Sequence, residues 1–315
     1  MIVDWHAHVY PPEEEAAPLW QGRSPLNIAR LLDAHERAGI DLCVVTNPIH
    51  YLRGRSDADC LTAIKRWNAY ALELQEAHRD RIIVFSSTIP GGGTEFVREV
   101  ESALDAGLAG VFINSSHHEH YPDEDEALPF FELVASRNVP VMLHAPAASF
   151  GEEHMRQYRL TSSIGRPADE CLALARLIVR GVLARFPSLK LVAAHLGGGI
   201  CEVIGRLNYA WELQEEAFFL GPYEPRLIDE PPLRYLKDVH LDTVSYHAPA
   251  VMCAVETVGV ERIVFGSDSP PLTSLLPRAR ALVEGLPLGE EERALILGGN
   301  ALRLLGKAAA AEARR

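Results

Sequence analysis

The chain has 315 residues, 48% of them hydrophobic, and 30 Lys+Arg against 43 Asp+Glu give a formal net charge of −13. That length exceeds a usual single domain but suits one large α/β barrel, and the apolar share supports a sizeable core. The acidic balance argues against nucleic acid or an anionic membrane as main partner, since both select clustered Lys and Arg; a small anionic substrate remains compatible, because a metal or a local arginine overrides the global field.

The five cysteines, Cys43, Cys60, Cys171, Cys201 and Cys253, are scattered, odd in number and without CxxC pairing. They read as reduced thiols in a cytoplasmic protein. The first residues already form a strand with polar members, so no signal peptide is expected. No apolar run approaches the length of a membrane span.

Along the chain, a short apolar run and an amphipathic helical stretch alternate eight times. The first strand is Ile2 to His6, and Ser24-Pro25 then reads as cap and first residue of a helix to Ala38, stopped by Gly39. A second strand at Asp41 to Thr46 precedes a long helix at Asp57 to His78. The third strand, Ile82 to Ser86, leads through Gly91-Gly92-Gly93 to a helix at Thr94 to Asp105. The fourth, Ala109 to Ile113, is followed by a helix at Glu126 to Arg137, and the fifth is Pro140 to Leu143. A long loop, residues 145–167, separates it from a helix at Ala168 to Phe186. The sixth strand, Leu189 to Ala194, feeds a helix at Ile200 to Glu216, followed by an insertion rich in Pro, Phe and Tyr within 217–236. The seventh, Val239 to Asp242, has its helix at Pro249 to Val258. The eighth, Arg262 to Phe265, precedes helices at Ser274 to Glu284 and Gly289 to Leu305. Residues 307–315 read as a frayed tail, which leaves 1–306 as one domain.

Most of these strands are near-continuous apolar runs, as expected when both faces are buried. Strict alternation at this count predicts a (β/α)₈ TIM barrel, with a doubly wound sheet as the alternative. In a barrel the chemistry gathers at the C-terminal ends of the strands. Those ends carry His6 and His8, Asn114, His144, His195, Asp242-Thr243 and Asp268. In an extended strand His6 and His8 share a face, with Ala7 turned away. Imidazole and carboxylate groups on rigid strands suit zinc or another first-row divalent ion.

His-x-His in the first strand, the lone His144, His195-Leu-Gly-Gly and Gly266-Ser-Asp-Ser-Pro together resemble the amidohydrolase superfamily. They are most similar to its subgroup typified by aminocarboxymuconate-semialdehyde decarboxylase. The resemblance covers essentially the whole barrel and is strongest from Gly165 to Arg206. It implies metal ligands at His6, His8, His144 and Asp268, with His195 as catalytic histidine and Asp268 as ligand or base. Two-metal members of the superfamily bridge their ions by a carboxylated lysine or an acidic residue, commonly after the fourth strand. Here Asn114 stands there, and the lysines are Lys65, Lys190, Lys237 and Lys307. One divalent ion is therefore expected, Zn²⁺ first and Mn²⁺ second, with no organic cofactor.

Arg206 resembles the subgroup's substrate-carboxylate arginine, which in some members acts across a dimer interface. Asn47, His50 and Asn114 are further substrate-contact candidates at the rim, and Arg23 is the candidate arginine after the first strand. The expected function is non-oxidative decarboxylation of a small aromatic or unsaturated carboxylic acid by a homodimer. The alternatives are a metal-dependent hydrolase of a lactone, amide or ester, and a hydratase of an unsaturated diacid. His117, His118 and His120 read as a solvated lid, and Gly197-Gly198-Gly199 as a tight turn rather than a phosphate loop, since it lacks the lysine.

Overall fold

The computed structural model describes residues 1–16, 27–49, 52–146, 151–213, 221–223, 225–270 and 272–306. The strands are β1 Val3–His8, β2 Leu42–Thr46, β3 Ile82–Val84, β4 Ser86–Thr88, β5 Val111–Asn114, β6 Pro140–His144, β7 Lys190–Ala193, β8 His240–Asp242 and β9 Ile263–Val264. All paired neighbours are parallel, in the order β1-β2-β3 and β4-β5-β6-β7-β8-β9. β3 and β4 are two halves of one barrel strand, parted at Phe85, whose N–H donates to the Val45 carbonyl at 3.0 Å.

Backbone bonds join the first strand to the last. Trp5 N–H donates to the Phe265 carbonyl at 2.8 Å and His8 N–H to that of Ser269 at 3.0 Å. Ala7 and Ser269 form a parallel bridge. The ring is therefore closed, and the protein is a (β/α)₈ barrel rather than an open doubly wound sheet.

Alternation along the strands sorts the core. Val44, Phe85, Phe112, Met142, Val192 and Val264 pack with Trp5 in one cluster inside the ring. Outward neighbours such as Ile113, Val141, Leu191 and Leu241 pack against the helices. The β1–β2 register slips between Asp4 and Ala7. That irregularity lets Trp5 fill the barrel floor, edge-on to Phe85 at 5.6 Å, while His6 and His8 also face the lumen. Bulges re-aim side chains beside active sites in this way.

The helices differ from expectation mainly at their ends. The first long helix is Ile28–Ala38, capped by Asn27, whose side chain accepts from Arg30 N–H. The expected Ser24-Pro25 start lies outside the described residues. The helix expected from Ala168 starts inside the predicted loop: a π-helical turn, Thr161–Gly165, runs into Arg166–Val179. Gly181, at φ +78°, then breaks it before a short turn at Val182–Arg185. The last helix is interrupted by a π-helical turn at Leu295–Gly299. Among the described residues no helix is long and apolar enough to cross a membrane. The tail at 307–315 lies outside them.

Candidate active site

Every strand that carries a chemical residue delivers it to one end of the ring. His6, His144, His195 and Asp268 each offer a donor atom within 4.8 Å of all the others. His8 joins them, its Nε2 lying 3.0 Å from Nε2 of His6. Oδ1 of Asp268 is 3.5 Å from Nε2 of His6 and 3.4 Å from Nε2 of His8. Its Oδ2 is 3.8 Å from Nε2 of His195. The imidazoles pack edge to face or tilted, with neighbouring ring centroids 4.8–5.2 Å apart.

The outer nitrogen of each ring is already engaged. Nδ1 of His6 donates to Asp242 at 2.6 Å, and Nδ1 of His8 to Thr46 Oγ1 at 2.8 Å. Thr46 passes its own proton to the Ala7 carbonyl at 3.1 Å, so toward His8 it is an acceptor. Nδ1 of His144 donates to the Ala145 carbonyl at 2.8 Å, and Nδ1 of His195 to Glu170 at 2.9 and 3.0 Å. With Nδ1 carrying the proton, Nε2 of His6, His8 and His144 presents a lone pair inward. Two such lone pairs at 3.0 Å repel unless a cation lies between them. The donor set, nitrogen-rich with one carboxylate, suits a divalent first-row ion. The residues present therefore fit a metal ion.

Electrostatics separates the roles. Burial lowers the His8 pKa to about 4, which keeps it a neutral ligand at pH 7. Burial would raise Asp268, but hydrogen bonding from His195 and the charge of His195 hold it well below the usual carboxylate range. Burial would lower His195, yet Glu170 and Asp268 hold it well above its ordinary value. Burial pushes Glu170 up, opposed by His195 and the Ala145 N–H. Glu170 and His195 thus share one tightly held proton. The backbone is strained at the same places: His195 has φ 49° and Asp268 φ 55°. Left-handed non-glycine residues persist only where their surroundings over-determine them.

The glycine run is a turn, as expected, and a crowded one. A Cβ on Gly198, at φ +65°, would sit 1.8 Å from the Pro167 carbonyl oxygen. Only glycine lets the turn after β7 press against the first turn of the helix that carries Glu170.

Other candidates fall at different distances from this cluster. Asn114 pairs in register with His144 and is 8% exposed. Asn47 is buried at the end of β2, its carbonyl accepting from Ser87 at 3.4 Å. Arg206 is exposed on the helix Ile200–Glu212. His50 and Arg23 lie outside the described residues. His117 and His120 close a small bridge, and His120 pairs with Glu124 at 3.0 Å. Burial lowers His117 to about 4. Sequence reasoning missed Glu170, Thr46 and the partnership of Asp242 with His6. It also missed Asp4, which lies beneath the site and accepts from Ser267 N–H and His6 N–H, each at 3.0 Å. Asp4 also pairs with His35 at 2.8 Å.

The fold and site define a metal-binding (β/α)₈ barrel. A sequence profile described as Amidohydrolase matches residues 3–307, and the chain belongs to that family. It is 29% identical over 276 residues to 2-amino-3-carboxymuconate-6-semialdehyde decarboxylase of Dictyostelium discoideum, covering 86% of this chain and 74% of that protein. It is 24% identical to 2-keto-4-carboxy-3-hexenedioate hydratase of Sphingobium, covering 67% of this chain and 61% of that protein. The structure of 5-carboxyvanillate decarboxylase from Sphingomonas paucimobilis superposes with a TM-score of 0.84 at 21% identity, over 97% of this chain and 98% of that one. A dihydroxybenzoic acid decarboxylase from Polaromonas, holding manganese and the inhibitor 2-nitroresorcinol, does so at 0.82 and 19%, over 97% and 96%. These likenesses show the fold.

Proposed function

We propose that the chain is a divalent-metal-dependent decarboxylase acting without oxidation on a small aromatic or unsaturated carboxylic acid. The observation that carries this reading is the pairing of an inward-facing donor cluster with a proton-holding His195–Glu170 couple at one barrel mouth. The Dictyostelium relative, a decarboxylase, supports it. One ion is the expected number, since Asn114 stands where a bridging lysine would be. Zinc is the first choice on donor chemistry, manganese the second, after the Polaromonas structure.

His6, His8, His144 and Asp268 would hold the ion. When bound, the ion would supply Lewis-acid polarisation of the substrate's acid group or a neighbouring hydroxyl. The chain's own residues supply the proton chemistry. Replacement of CO₂ by H⁺ requires one proton at the carbon that bears the carboxylate, and the electrons of the broken C–C bond balance it. His195 holds that proton at Nε2, and Glu170 stabilises the imidazolium from the Nδ1 side. Asp268 Oδ2, 3.8 Å from Nε2, adds its negative charge to that stabilisation. Asn47 and Asn114 flank the mouth as neutral hydrogen-bonding groups for the substrate, and His50 is assigned the same role. Unpaired thiols support a cytoplasmic protein. A homodimer would bring the exposed Arg206 toward a neighbour's site.

The Sphingobium relative keeps hydration of an unsaturated diacid as the second reading. Metal analysis coupled to a substrate panel decides. CO₂ release from a hydroxybenzoic or unsaturated acid, with about one ion per chain, is the expected result. Hydration of a diacid or opening of a lactone without CO₂ release would overturn it. A His195→Asn variant that keeps its metal should lose activity by about 10²- to 10⁴-fold.

A further inference from the structure

Four donors converge on the carboxylate of Asp4, beneath the donor cluster. Its Oδ1 accepts from the backbone N–H groups of His6 and Ser267, each at 3.0 Å. Its Oδ2 accepts from Nε2 of His35 at 2.8 Å and from the Ser267 hydroxyl. Asp4 and Ser267 are fully buried, and His35 is 1% exposed. The register slip in β1 accounts for the two backbone donors. On either side of it, Trp5 N–H reaches the Phe265 carbonyl and His8 N–H that of Ser269. Between those two bonds, the N–H groups of His6 and Ser267 turn to the Asp4 side chain instead. Buried amides without an acceptor are costly, and one carboxylate oxygen serves both.

These contacts hold two of the inward-facing donor residues at once. His6 is itself a donor, and Ser267 directly precedes Asp268, whose φ of 55° persists only in a rigid setting. Tyr246 pins Ser267 as well, its hydroxyl donating to the Ser267 carbonyl at 2.9 Å. Asp4 thus ties together the backbone on which Nε2 of His6 and Oδ1 of Asp268 stand 3.5 Å apart. Of its four donors, only the His35 ring comes from outside the seam, from the buried face of the helix Ile28–Ala38 beside Leu31 and Ala34. Nδ1 of His35 is buried with no hydrogen-bond partner among the described residues, so Asp4 alone orients the ring. An imidazole desolvated in a leucine-lined position for the sake of one bond points to a purpose for that bond.

We infer that His35 is a positioning residue for the metal site: through Asp4 it fixes the spacing of His6 and Asp268, and with it the strength with which the chain holds its ion. This rests on the divalent-metal part of the reading above. Groups that orient metal ligands change affinity by about 10- to 100-fold when removed. His35 acts one bond further out, on the backbone that carries the ligands.

The test measures zinc affinity by chelator competition on apoprotein shown to be folded by circular dichroism, and the visible spectrum of the cobalt-loaded protein. His35→Leu removes the donor, and His35→Met does so with a side chain that adapts to irregular core space should leucine prevent folding. Either should lower zinc affinity about 10-fold and shift the cobalt spectrum. His35→Gln, whose amide N–H can replace the imidazole donor, should recover most of the affinity. Asp4→Asn should lower affinity too, and adding His35→Leu to it should change affinity by no more than about twofold, since the two act as a unit. Wild-type zinc affinity and cobalt spectrum in His35→Leu or His35→Met, with only the unfolding free energy reduced, would make His35 a plain core residue and overturn the inference while leaving the metal site standing. Additive losses in the double variant would overturn the route through Asp4. A wild type that binds neither zinc nor cobalt would sink the metal reading and this inference with it. His35-dependent zinc binding with no CO₂ release from any acid would sustain the inference and sink the decarboxylase reading alone.

Discussion

Replacing Glu170 by Gln should damage activity more than stability. Glu170 is fully buried and serves two donors, His195 Nδ1 at 2.9 Å and the Ala145 N–H at 2.7 Å. Glutamine keeps the shape and one acceptor for Ala145 but loses the charge that holds the His195 proton. At 2.9 Å and an effective dielectric near 20, the gross attraction is about 6 kcal/mol. Desolvation offsets most of it, and a charge-assisted hydrogen bond leaves about 1.5–3 kcal/mol net. That is about one to two pKa units on His195. The folded-state pKa of His195 is raised, so its proton is held fully below the ordinary value near 6.5 and lost as pH rises through the folded value. The variant should therefore lose the alkaline limb of its kcat profile about one to two units earlier, with kcat at neutral pH down about 10- to 100-fold. The assay is kcat against pH on protein of verified metal content. An unchanged alkaline limb with full metal occupancy would refute the assignment of Glu170 as the residue that holds this proton.

Asp242→Asn weakens the acceptor that orients His6 at 2.6 Å, and metal affinity should fall about 10- to 100-fold in a chelator competition; unchanged affinity would separate Asp242 from the site. Gly198→Ala forces a left-handed alanine against Pro167 and should cost about 2–5 kcal/mol in denaturant unfolding. A variant as stable as the parent would show that the turn yields. His240 is lowered to about 3 by burial and by Arg262 and Lys190, so it folds neutral. Its folded pKa lies below the ordinary 6.5, and the stability tied to it is present above that value and declines as pH falls toward 3. His240→Phe should flatten the fall in Tm between pH 7 and 5, and an undiminished slope would place the acid sensitivity elsewhere.

The strands were legible because burial on both faces writes them as apolar runs, and the cluster of donor side chains because each member ends such a run. His6, His8, His144, His195 and Asp268 needed no knowledge of tertiary contacts to be found. Glu170 did. In the sequence it is a first-turn acid of an amphipathic helix, where glutamate is common as a dipole partner. Its buried status arises only when that helix packs over the ends of β6 and β7. Thr46 was hidden for a similar reason, as a strand-end hydroxyl whose acceptor role depends on where it sends its own proton. The broken helix at Gly181 carried a visible glycine, but helical periodicity continues on both sides and masks the interruption.

The seam between the first and last strands ties together residues from far-apart parts of the chain. His6 and His8 stand on β1, and Asp268 lies four residues past the end of β9. Asp4 and Ser267, bonded across the same seam, are 263 residues apart. Contacts across a span of that length carry a loop-closure cost and slow folding. The full ligand set therefore exists only once the ring has shut. An ion held there would act as a clasp on the finished ring, so that metal binding would stabilise the closed barrel.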